Sequence, residues 1–423
     1  MNQPSQLQSL CTFIDNSPTS FHAVSNIEKT LQDGGFIRLE EKHAWNLSPK
    51  GKYYVTRNDS SMIAFTLPGQ NPEGFHMVAA HSDSPCFKVK EEAEVVVENA
   101  YLKLNVEKYG GMILSTWLDR PLSIAGRVIV KGADGLESRL INLDKDMAVI
   151  PNVAIHMNRD MNKGVEYKVQ SDMQPILGAA CSKDQYAALL AKAAGVEIDK
   201  ILGADIFVYN RDKCRLVGLE DDFLTGPRLD DLMCVFAGMT ALVNSEPERH
   251  VNLCAVFDNE EVGSGTKQGA ASTFLKDVLI RISNRLGAGE EEYRRMIADS
   301  FLISADNAHA LHPNHPEKAD AANRPLLNGG IVIKYHGSQR YATDAYSAAV
   351  MKDICQRAGV PYQSYANHSD IPGGSTLGNI STAQVSVNTV DIGLAQLAMH
   401  SALETAGTKD VGYLIEGFKV FYR

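Results

Sequence analysis

Two adjacent glutamates at the end of an apolar segment are the first residues in this chain whose types and spacing indicate chemistry. The stretch VNLCAVFDNEEVGSG (251–265) reads as a buried strand that ends in Asp258, Glu260 and Glu261. Burying a carboxylate costs several kcal/mol unless it is paired or binds a metal. An isolated Glu-Glu pair is usually a solvated loop. Here the preceding apolar strand and the following glycines favour carboxylates that approach a site.

Other polar residues follow predicted strands or lie on predicted helices. In an open α/β sheet, sites form beyond the carboxyl ends of the strands. The further candidates are His81 and Asp83 after MVAA, Asp306, His309 and His312 after FLISA, Asp230 and Asp231 at the start of one helix, and His400 in another. His81 and Asp83 lie two apart in an extended segment and point the same way, so that one can bind a metal while the other orients it.

Each of these candidates has an ordinary structural explanation when taken alone. Asp230 would be a favoured helix N-cap, and His400 on an apolar helix face would more often be a buried histidine without a ligand. The combination of two histidines with several carboxylates suits zinc, cobalt or manganese. Two such ions can activate a water and polarise a carbonyl, while a carboxylate outside the ligand set moves the proton. Glu260 and Glu261 can divide these roles.

The elements that must position these residues alternate between strands and helices at both ends of the chain. Strands are predicted at 77–80, 251–257, 300–305 and near 383–387. Helices are predicted at 20–31, 229–245, about 268–286 and about 394–406. This alternation predicts an α/β fold with a mostly parallel sheet.

The middle of the chain, residues 91–227, has a different composition. It is rich in β-branched residues, and Asp134-Gly135 between two strand-like runs indicates a hairpin. One helix is expected at about 183–194. We therefore predict an inserted β-rich domain of residues 91–227 within an outer unit formed by residues 1–90 and 228–423.

Composition limits the cellular context and the partners. The 423 residues carry a formal net charge of -10, which argues against nucleic acid and membrane surfaces, because both require basic patches. Seven scattered cysteines without a CxxC pair predict a reducing, cytoplasmic location. The first residues do not have the pattern of a signal peptide, and no apolar run approaches the ~20 residues of a membrane span.

Six motifs, in order along the chain, resemble the aspartyl aminopeptidase family of dinuclear zinc exopeptidases. They are AAHSDSP, PRLDDL, DNEEVGS, SADNAHALHPNH, VIKYHGSQRYAT and LAMHS. FIDNSPTSFHAV, TWLDRPLSIAGRV and PNVAIHMNRD are also similar. The resemblance implies a zinc exopeptidase fold, in which helices cover both faces of a mixed, mostly parallel sheet. It also implies that the inserted domain mediates dimerisation.

The resemblance further implies a role for each matching residue of the metal centre. Two zinc ions, with cobalt or manganese as alternatives, would be held by five side chains: His81, Asp230, Glu261, Asp306 and His400. Asp230 would bridge the ions, Glu260 would act as general base and acid, and Asp83 would orient His81. Asp231 departs from the asparagine expected in relatives, and its added negative charge would weaken a preference for acidic substrates.

The implied substrate contacts come from His309, Lys334 and Tyr341, with Lys334 as partner for an acidic side chain. Without the resemblance, the sequence is equally compatible with a surface lysine at a strand edge, whose charged end reaches water. His156 of the inserted domain would reach the active site of a neighbouring subunit to contact substrate, or alternatively bind metal. The implied assembly is a dodecamer built from dimers.

Together these features predict a cytoplasmic metalloaminopeptidase that removes N-terminal residues, preferably Asp or Glu, from peptides. Three alternatives remain open. The enzyme could prefer neutral residues, or it could be a related zinc amidohydrolase such as a deacylase or carboxypeptidase. Least favoured is a non-catalytic scaffold, because such proteins usually lose the base or a ligand.

Overall fold

The computed structural model describes residues 3–133, 135–179 and 184–423. Asp134 of the predicted hairpin, Lys183 of the predicted helix and Cys181 lie outside the described residues. The six cysteines within them are free thiols. None of the helices in these ranges is long and apolar enough to cross a membrane.

The helices and strands fall into three consecutive groups. Before the middle segment come α1 (Gln3–Asp15), α2 (Ser20–Asp33), β1 (Ile37–Leu39), β2 (Lys52–Arg57), β3 (Ser61–Thr66) and β4 (Phe75–His81). The middle segment contains β5 (Cys86–Val97), β6 (Tyr101–Tyr109), β7 (Leu122–Lys131), β8 (Leu136–Asn142), α3 (Val169–Asp172), β9 (Ile176–Gly178), α4 (Gln185–Ala194) and β10 (Ile201–Asn210). After it come β11 (Arg215–Val217), β12 (Phe223–Gly226), α5 (Leu229–Val243), β13 (Val251–Phe257), α6 (Phe274–Arg285), α7 (Glu290–Ala298), β14 (Phe301–Ala305), β15 (Ala308–His309), β16 (Ile331–Tyr335), α8 (Ala345–Ala358), β17 (Tyr362–Ala366), α9 (Leu377–Ser381), β18 (Asn388–Gly393), β19 (Ala395–Leu397), β20 (Glu404–Gly407) and α10 (Asp410–Phe421).

A nine-stranded sheet forms the centre of the molecule, in the order β1-β2-β3-β13-β4-β14-β18-β16-β17. Five of its eight neighbouring pairs are parallel and three are antiparallel. Its inner strands are apolar on both faces, as expected where helices cover both sides. The predicted mixed, mostly parallel α/β sheet is confirmed.

Successive residues of the inner strands enter two different cores. In β13, Leu253 and Ala255 pack with α6 and α7, whereas Cys254 and Val256 pack with α1, α2, α5 and α10. This period-two alternation follows from the pleat of a strand. Two apolar layers therefore hold the sheet rigid, and the ends of its central strands are fixed points from which side chains can project.

The middle segment folds as a separate six-stranded antiparallel sheet, in the order β8-β7-β10-β5-β6-β9, around its own apolar core. The expected hairpin is present as β7 paired with β8. The predicted range of 91–227 also includes β11 and β12. These strands belong instead to a third sheet, in which β11 pairs with β12 and β12 pairs with β20. The first strand of the insert, β5, begins at Cys86.

Two predicted elements near the C-terminus are wrong. The helix expected at 394–406 is instead β19, a tight turn and β20, with His400 in the turn at a left-handed φ of 66°. The apolar run is compatible with a helix or a strand, and pairing of β20 with β12 and of β19 with β15 decides for strands. The strand expected near 383–387 begins only at Asn388, and the helix expected from 268 begins at Phe274.

Candidate metal centre

The predicted metal ligands gather at the carboxyl ends of three adjacent parallel strands. His81 is the last residue of β4 and pairs in register with Phe257, the last residue of β13. Glu261 follows β13 by four residues, and Asp306 directly follows β14. Because β13, β4 and β14 are neighbours and parallel, their side chains converge at one edge of the sheet, where sites form in such folds.

Asp230 lies between two groups of ligand atoms. One group is His81, Asp230 and Asp306, the other is Asp230, Glu261 and His400, and within each the ligand atoms lie within 4.8 Å of one another. Its Oδ1 is 3.5 Å from Nε2 of His81, and its Oδ2 is 3.5 Å from Nε2 of His400. Its two oxygens thus face two different sites, which is the geometry of a bridging carboxylate.

The remaining distances complete the two groups. Oδ1 of Asp306 lies 3.9 Å from Nε2 of His81, and Oε2 of Glu261 lies 3.2 Å from Nε2 of His400. The structure therefore brings together all five predicted ligands. Glu260 forms a further group with His81 and Glu261. It therefore borders the site but does not belong to either of the two triads, His81–Asp230–Asp306 and Asp230–Glu261–His400.

The chemistry of this donor set fits metal ions. Oδ1 of Asp230 and Oε1 of Glu261 are buried, and neither has a hydrogen-bond partner in the described residues. Burial raises the pKa of Glu261 well above its usual value. Burial would raise the pKa of Asp230, but the adjacent imidazoles of His400 and His81 lower it overall. Imidazole and carboxylate groups are the ligands of zinc, and the positive charge of two ions would compensate these carboxylates.

Asp83 connects the histidine ligand to the glutamate pair. Its Oδ1 is 3.4 Å from Nδ1 of His81. The same carboxylate accepts the backbone N–H groups of Glu260 (3.1 Å) and Glu261 (3.2 Å). Carboxylates that fix the far nitrogen of a metal-binding imidazole are a common supporting group in such sites. Asp83 here also fixes the backbone that carries Glu260.

Tyr109, at the end of β6 in the inserted sheet, is a contributor that sequence reasoning missed. Its hydroxyl donates to Oδ2 of Asp83 (2.7 Å) and accepts from Nδ2 of Asn259 (2.8 Å). Asn259 has a left-handed φ of 62° and immediately precedes Glu260. The hydroxyl of Tyr109 thereby hydrogen-bonds to both Asp83 and Asn259, the residues that position the glutamate pair. Nothing in the local pattern around Tyr109 distinguishes it from other strand tyrosines.

Glu404 is a second supporting residue that the sequence did not reveal. It is buried, and its carboxylate accepts the backbone N–H groups of Asp230 (3.0 Å) and His400 (2.7 Å). Burial raises its pKa to about 8. Glu404 lies four residues after His400, but the helix predicted there gave no reason to place its carboxylate against the backbone N–H of Asp230. Glu404 holds the bridging carboxylate and the turn that carries His400 in one arrangement.

Asp230 and Asp231 lie in the first turn of α5, where both have non-helical dihedral angles and the N-cap position is occupied by Arg228. Asp231 is fully buried, and its Oδ2 accepts the backbone N–H of His81 at 3.2 Å. Burial raises its pKa well above the usual value.

Lys334 and Tyr341 lie beside the zinc-ligand candidate Asp306. Lys334 is only 2 % exposed, so its interpretation as a surface lysine is wrong. Its Nζ donates to the backbone oxygens of Asp306 (2.7 Å) and Asn307 (3.3 Å) and lies 3.7 Å from Oδ2 of Asp306. It also lies 5.2 Å from the ring centroid of Tyr341.

His309 lines a neighbouring cavity of about 470 Å³, whose walls also include Lys318, Arg324 and Ala398. The charges of Asp230 and His400 act on His309, which lines this cavity, so the cavity lies beside the metal centre. His312 lines the same cavity. Neither histidine belongs to a group of metal-ligand atoms in the described part of the chain, and the substrate contact expected of His309 stays a prediction.

Two other candidates stand apart from the two triads. His156 is exposed on a segment without regular structure in the insert, and no ligand group within the described residues includes it. Asp258 is buried and accepts the backbone N–H of Asn259 at 2.8 Å. The metal-ligand alternative for His156 gains no support within this chain.

Comparison with known proteins adds three results. A family model described as aminopeptidase I zinc metalloprotease (M18) matches residues 13–422. A probable M18 family aminopeptidase 2 of Clostridium acetobutylicum is 47 % identical over 421 residues, covering 98 % of this chain and 97 % of the relative. Among solved structures, Ape4 in its complex with Nbr1 has a TM-score of 0.96 at 34 % identity, covering 99 % of this chain and 86 % of that one. The mApe1 dodecamer of S. cerevisiae has a TM-score of 0.86 at 28 % identity, covering 98 % and 96 %.

Proposed function

The chain belongs to the M18 family of zinc aminopeptidases, and from this premise we propose that it hydrolyses N-terminal residues, preferably Asp or Glu, from peptides with Glu260 as general base and acid. The observation that carries the proposal is Asp230, whose two carboxylate oxygens each lie 3.5 Å from a different histidine. A two-metal site requires this kind of shared ligand.

Zinc would be held on one side by His81 and Asp306 and on the other by Glu261 and His400, with Asp230 common to both. Bound zinc ions would supply Lewis-acid polarisation of the scissile carbonyl and lower the pKa of the attacking water. Cobalt or manganese would suit the same donor set. The protein's own contribution is a largely buried pocket in which these donors are preorganised.

Glu260 is suited to move the proton from the attacking water to the leaving amine. Its backbone N–H is fixed by Asp83, and its side chain borders both triads. Without metal, burial raises its pKa to about 8, against the opposing effect of His81. A carboxyl group whose pKa lies closer to neutrality than usual can both accept and donate a proton at the working pH.

The preference for acidic residues is supported by positive charge around the cavity beside the metal centre. Lys318 and Arg324 line this cavity with His309, and Lys334 lies behind Asp306. Basic side chains can recognise a substrate carboxylate through charge-assisted hydrogen bonds. One observation favours the second candidate, an aminopeptidase of neutral specificity: the Lys334 ammonium already contacts two backbone oxygens and Asp306.

We further propose that the protein self-associates into a dodecamer built from dimers, with the inserted sheet as the dimerisation element. One structural neighbour, mApe1 of S. cerevisiae, is a dodecamer. The exposed apolar side chains of the insert include Val153, Ile155 and Met157, next to His156. A partner subunit covering this segment would explain their exposure and would bring His156 to a neighbouring site. A cytoplasmic location also remains part of the proposal.

The test is hydrolysis of aminoacyl chromophores carrying Asp, Glu, Asn, Gln, Leu, Ala, Lys or Arg, with free and blocked amines. Asn and Gln are matched neutral controls for the acids. Chelator-sensitive cleavage of free-amine substrates, led by Asp or Glu, is the expected result. Cleavage led by Leu or Ala would support the neutral specificity, and cleavage of blocked substrates would support a deacylase. No cleavage with added zinc, cobalt or manganese would contradict the enzyme assignment.

Arg324→Gln tests the contribution of the positive charge lining the cavity independently of Lys334. If the cavity selects acids, the ratio of kcat/KM for Asp over Asn falls in Arg324→Gln while the value for Asn is retained. Lys334→Met tests the other cation, but because Lys334 contacts Asp306 its metal content must be measured alongside. An unchanged Asp-to-Asn ratio in both variants would contradict an acidic preference set by these residues.

A further inference from the structure

A second group of potential ligands meets at the opposite end of the same three strands. Glu73 lies two residues before β4, His250 directly before β13 and Asp299 two residues before β14. Their ligand atoms lie within 4.8 Å of one another. We propose that these three side chains bind a divalent transition-metal ion, which ties the amino ends of the central strands together away from the catalytic centre.

The backbone that carries the three residues is already fixed. Glu73 N–H donates to the Arg249 carbonyl (2.8 Å), and Val251 N–H donates to the Gly74 carbonyl (2.9 Å). On the other side, Phe75 N–H donates to the buried hydroxyl of Ser300 (2.9 Å). The three ligand positions are therefore held by contacts that do not depend on a metal.

Gly74 permits the close approach of two of these segments. A Cβ added there would lie 2.9 Å from the backbone oxygen of Asp299, closer than such atoms normally come. A glycine at this point thus lets Glu73 and Asp299 come near enough to share one ion. Glycine here has a packing reason that also serves the proposed site.

The ring of His250 is also held in place. His76 stacks on it with a centroid distance of 4.0 Å and an interplanar angle of 8°, and Phe421 stacks on His76 at 4.7 Å. Nε2 of His250 points toward Oδ2 of Asp299 at 3.3 Å. An imidazole with a fixed ring and a nitrogen directed at a carboxylate is a preorganised ligand.

The donor set indicates the class of ion. One imidazole nitrogen with two carboxylates suits zinc and neighbouring first-row ions better than calcium or magnesium, which prefer oxygen ligands alone. The side chains of Glu73 and Asp299 are 41 % and 59 % exposed, so water can complete the coordination. The ion must displace Arg249, which pairs with Glu73 at 2.5 Å. Without metal, the cluster consists of the Arg249–Glu73 salt bridge and the contact between His250 and Asp299.

The test counts zinc bound to the full chain after metal removal and equilibrium dialysis against a zinc buffer. Asp299→Asn and His250→Asn remove one ligand each, whereas His315→Asn is the control. His315 also pairs with a carboxylate, Glu317, at 3.2 Å, but among the described residues it joins no three-ligand group. The expected result is one zinc equivalent fewer in both site variants than in the wild type and the control.

Three further readouts make the result decisive. Peptide hydrolysis should be unchanged in Asp299→Asn, because the cluster is remote from the catalytic ligands. Arg249→Gln should bind the additional ion more tightly, because it removes the competing cation. Thermal unfolding confirms that each variant folds. Equal zinc counts in the wild type and both site variants would overturn the proposal and leave a salt-bridge cluster only.

Discussion

The two ends of the central sheet carry the same residue types in opposite environments. At the carboxyl ends, His81 and Asp230 have side chains only 1 % and 3 % exposed. At the amino ends, Asp299 is 59 % exposed. Water and ion pairs satisfy charges at the open end at little energetic gain. At the buried end, unpaired carboxylates require another source of compensation, and this difference makes the buried end the catalytic candidate.

The two ends also differ in what supports them. The buried end has a polar network in which Asp83, Tyr109 and Glu404 accept or donate hydrogen bonds to the backbone and side chains of the ligands. The open end relies on backbone pairing and the stack of His76 on His250. Buried hydrogen bonds of this kind restrict the geometry of the groups they join and are costly to break. Substitutions at the buried end should therefore have the larger effects.

The largest effect is expected for Glu260→Gln. The amide cannot accept a proton, so kcat should fall about 10²- to 10⁴-fold, the usual contribution of a general base. Metal content should stay at the wild-type value, because Glu260 lies outside both triads that share Asp230. Steady-state hydrolysis and elemental analysis provide the two readouts. Near-normal turnover with bound metal would remove Glu260 from its role.

A smaller effect is expected for Tyr109→Phe. Losing the hydrogen bonds to Asp83 and Asn259 leaves buried polar groups unpaired, at a cost of about 1–3 kcal/mol, and loosens the backbone of Glu260. We expect kcat to fall about tenfold, with KM and zinc content little changed. Tyr101→Phe is the control, because Tyr101 lies on the same strand but is exposed. Equal activities of the two variants would show that the insert does not support the site.

The third prediction concerns pH and Asp258, at the buried end of β13. Burial and the nearby charge of Asp83 raise its pKa to about 7. The Asp258 carboxyl thus binds its proton more tightly in the folded protein than in the unfolded chain. The stabilisation that this gives to the folded state is fully present below about pH 4 and is lost as the pH rises through 7. Asp258→Asn, which cannot ionise, should gain in free energy of unfolding relative to the wild type by about 1.4 kcal/mol per pH unit across this window.

Chemical denaturation at pH 4, 5.5 and 7 measures this difference, and each protein serves as its own reference at the lowest pH. Zinc-loaded and chelator-treated samples should be compared, because zinc binding is itself pH-dependent. A difference between variant and wild type that stays constant or shrinks as the pH rises would contradict the assigned direction of the pKa shift.

The smallest effect is expected for Asp299→Asn without zinc. Removing an exposed ion pair should change the free energy of unfolding by less than about 1 kcal/mol. A loss of unfolding free energy as large as that expected for a buried charge would contradict the difference in environment between the two ends of the sheet. Zinc should raise the melting temperature of the wild type more than that of Asp299→Asn, because an ion that binds only the folded state stabilises it.

The sequence predicted which candidate residues would lie close together better than it predicted the elements that carry them. His81, Glu261 and Asp306 follow strongly apolar strands whose period and length are unambiguous, so their convergence could be predicted. His400 was predicted as a ligand on the wrong element, because LAQLAM matches a helix and a buried strand equally well. Only the pairing of distant strands, which single-sequence periodicity does not contain, decides between them.

The supporting residues could not be predicted for a related reason. Tyr109 reaches Asp83, whose own role was predicted, across the whole β5–β6 hairpin, and Glu404 reaches Asp230 across 174 residues of chain. Such contacts depend on how the inserted sheet and the turn before β20 pack against the central strands. Residue type marks the ligands, whereas tertiary packing alone identifies the groups that hold them.

The most direct test is an anomalous difference map at the zinc absorption edge from crystals of the zinc-loaded protein. A bridged two-metal centre predicts two strong peaks about 3.5–4 Å apart, on either side of the Asp230 carboxylate. The additional site predicts a third peak between Glu73, His250 and Asp299. A single peak at the carboxyl ends, or two peaks that do not share Asp230, would contradict the bridged two-metal centre.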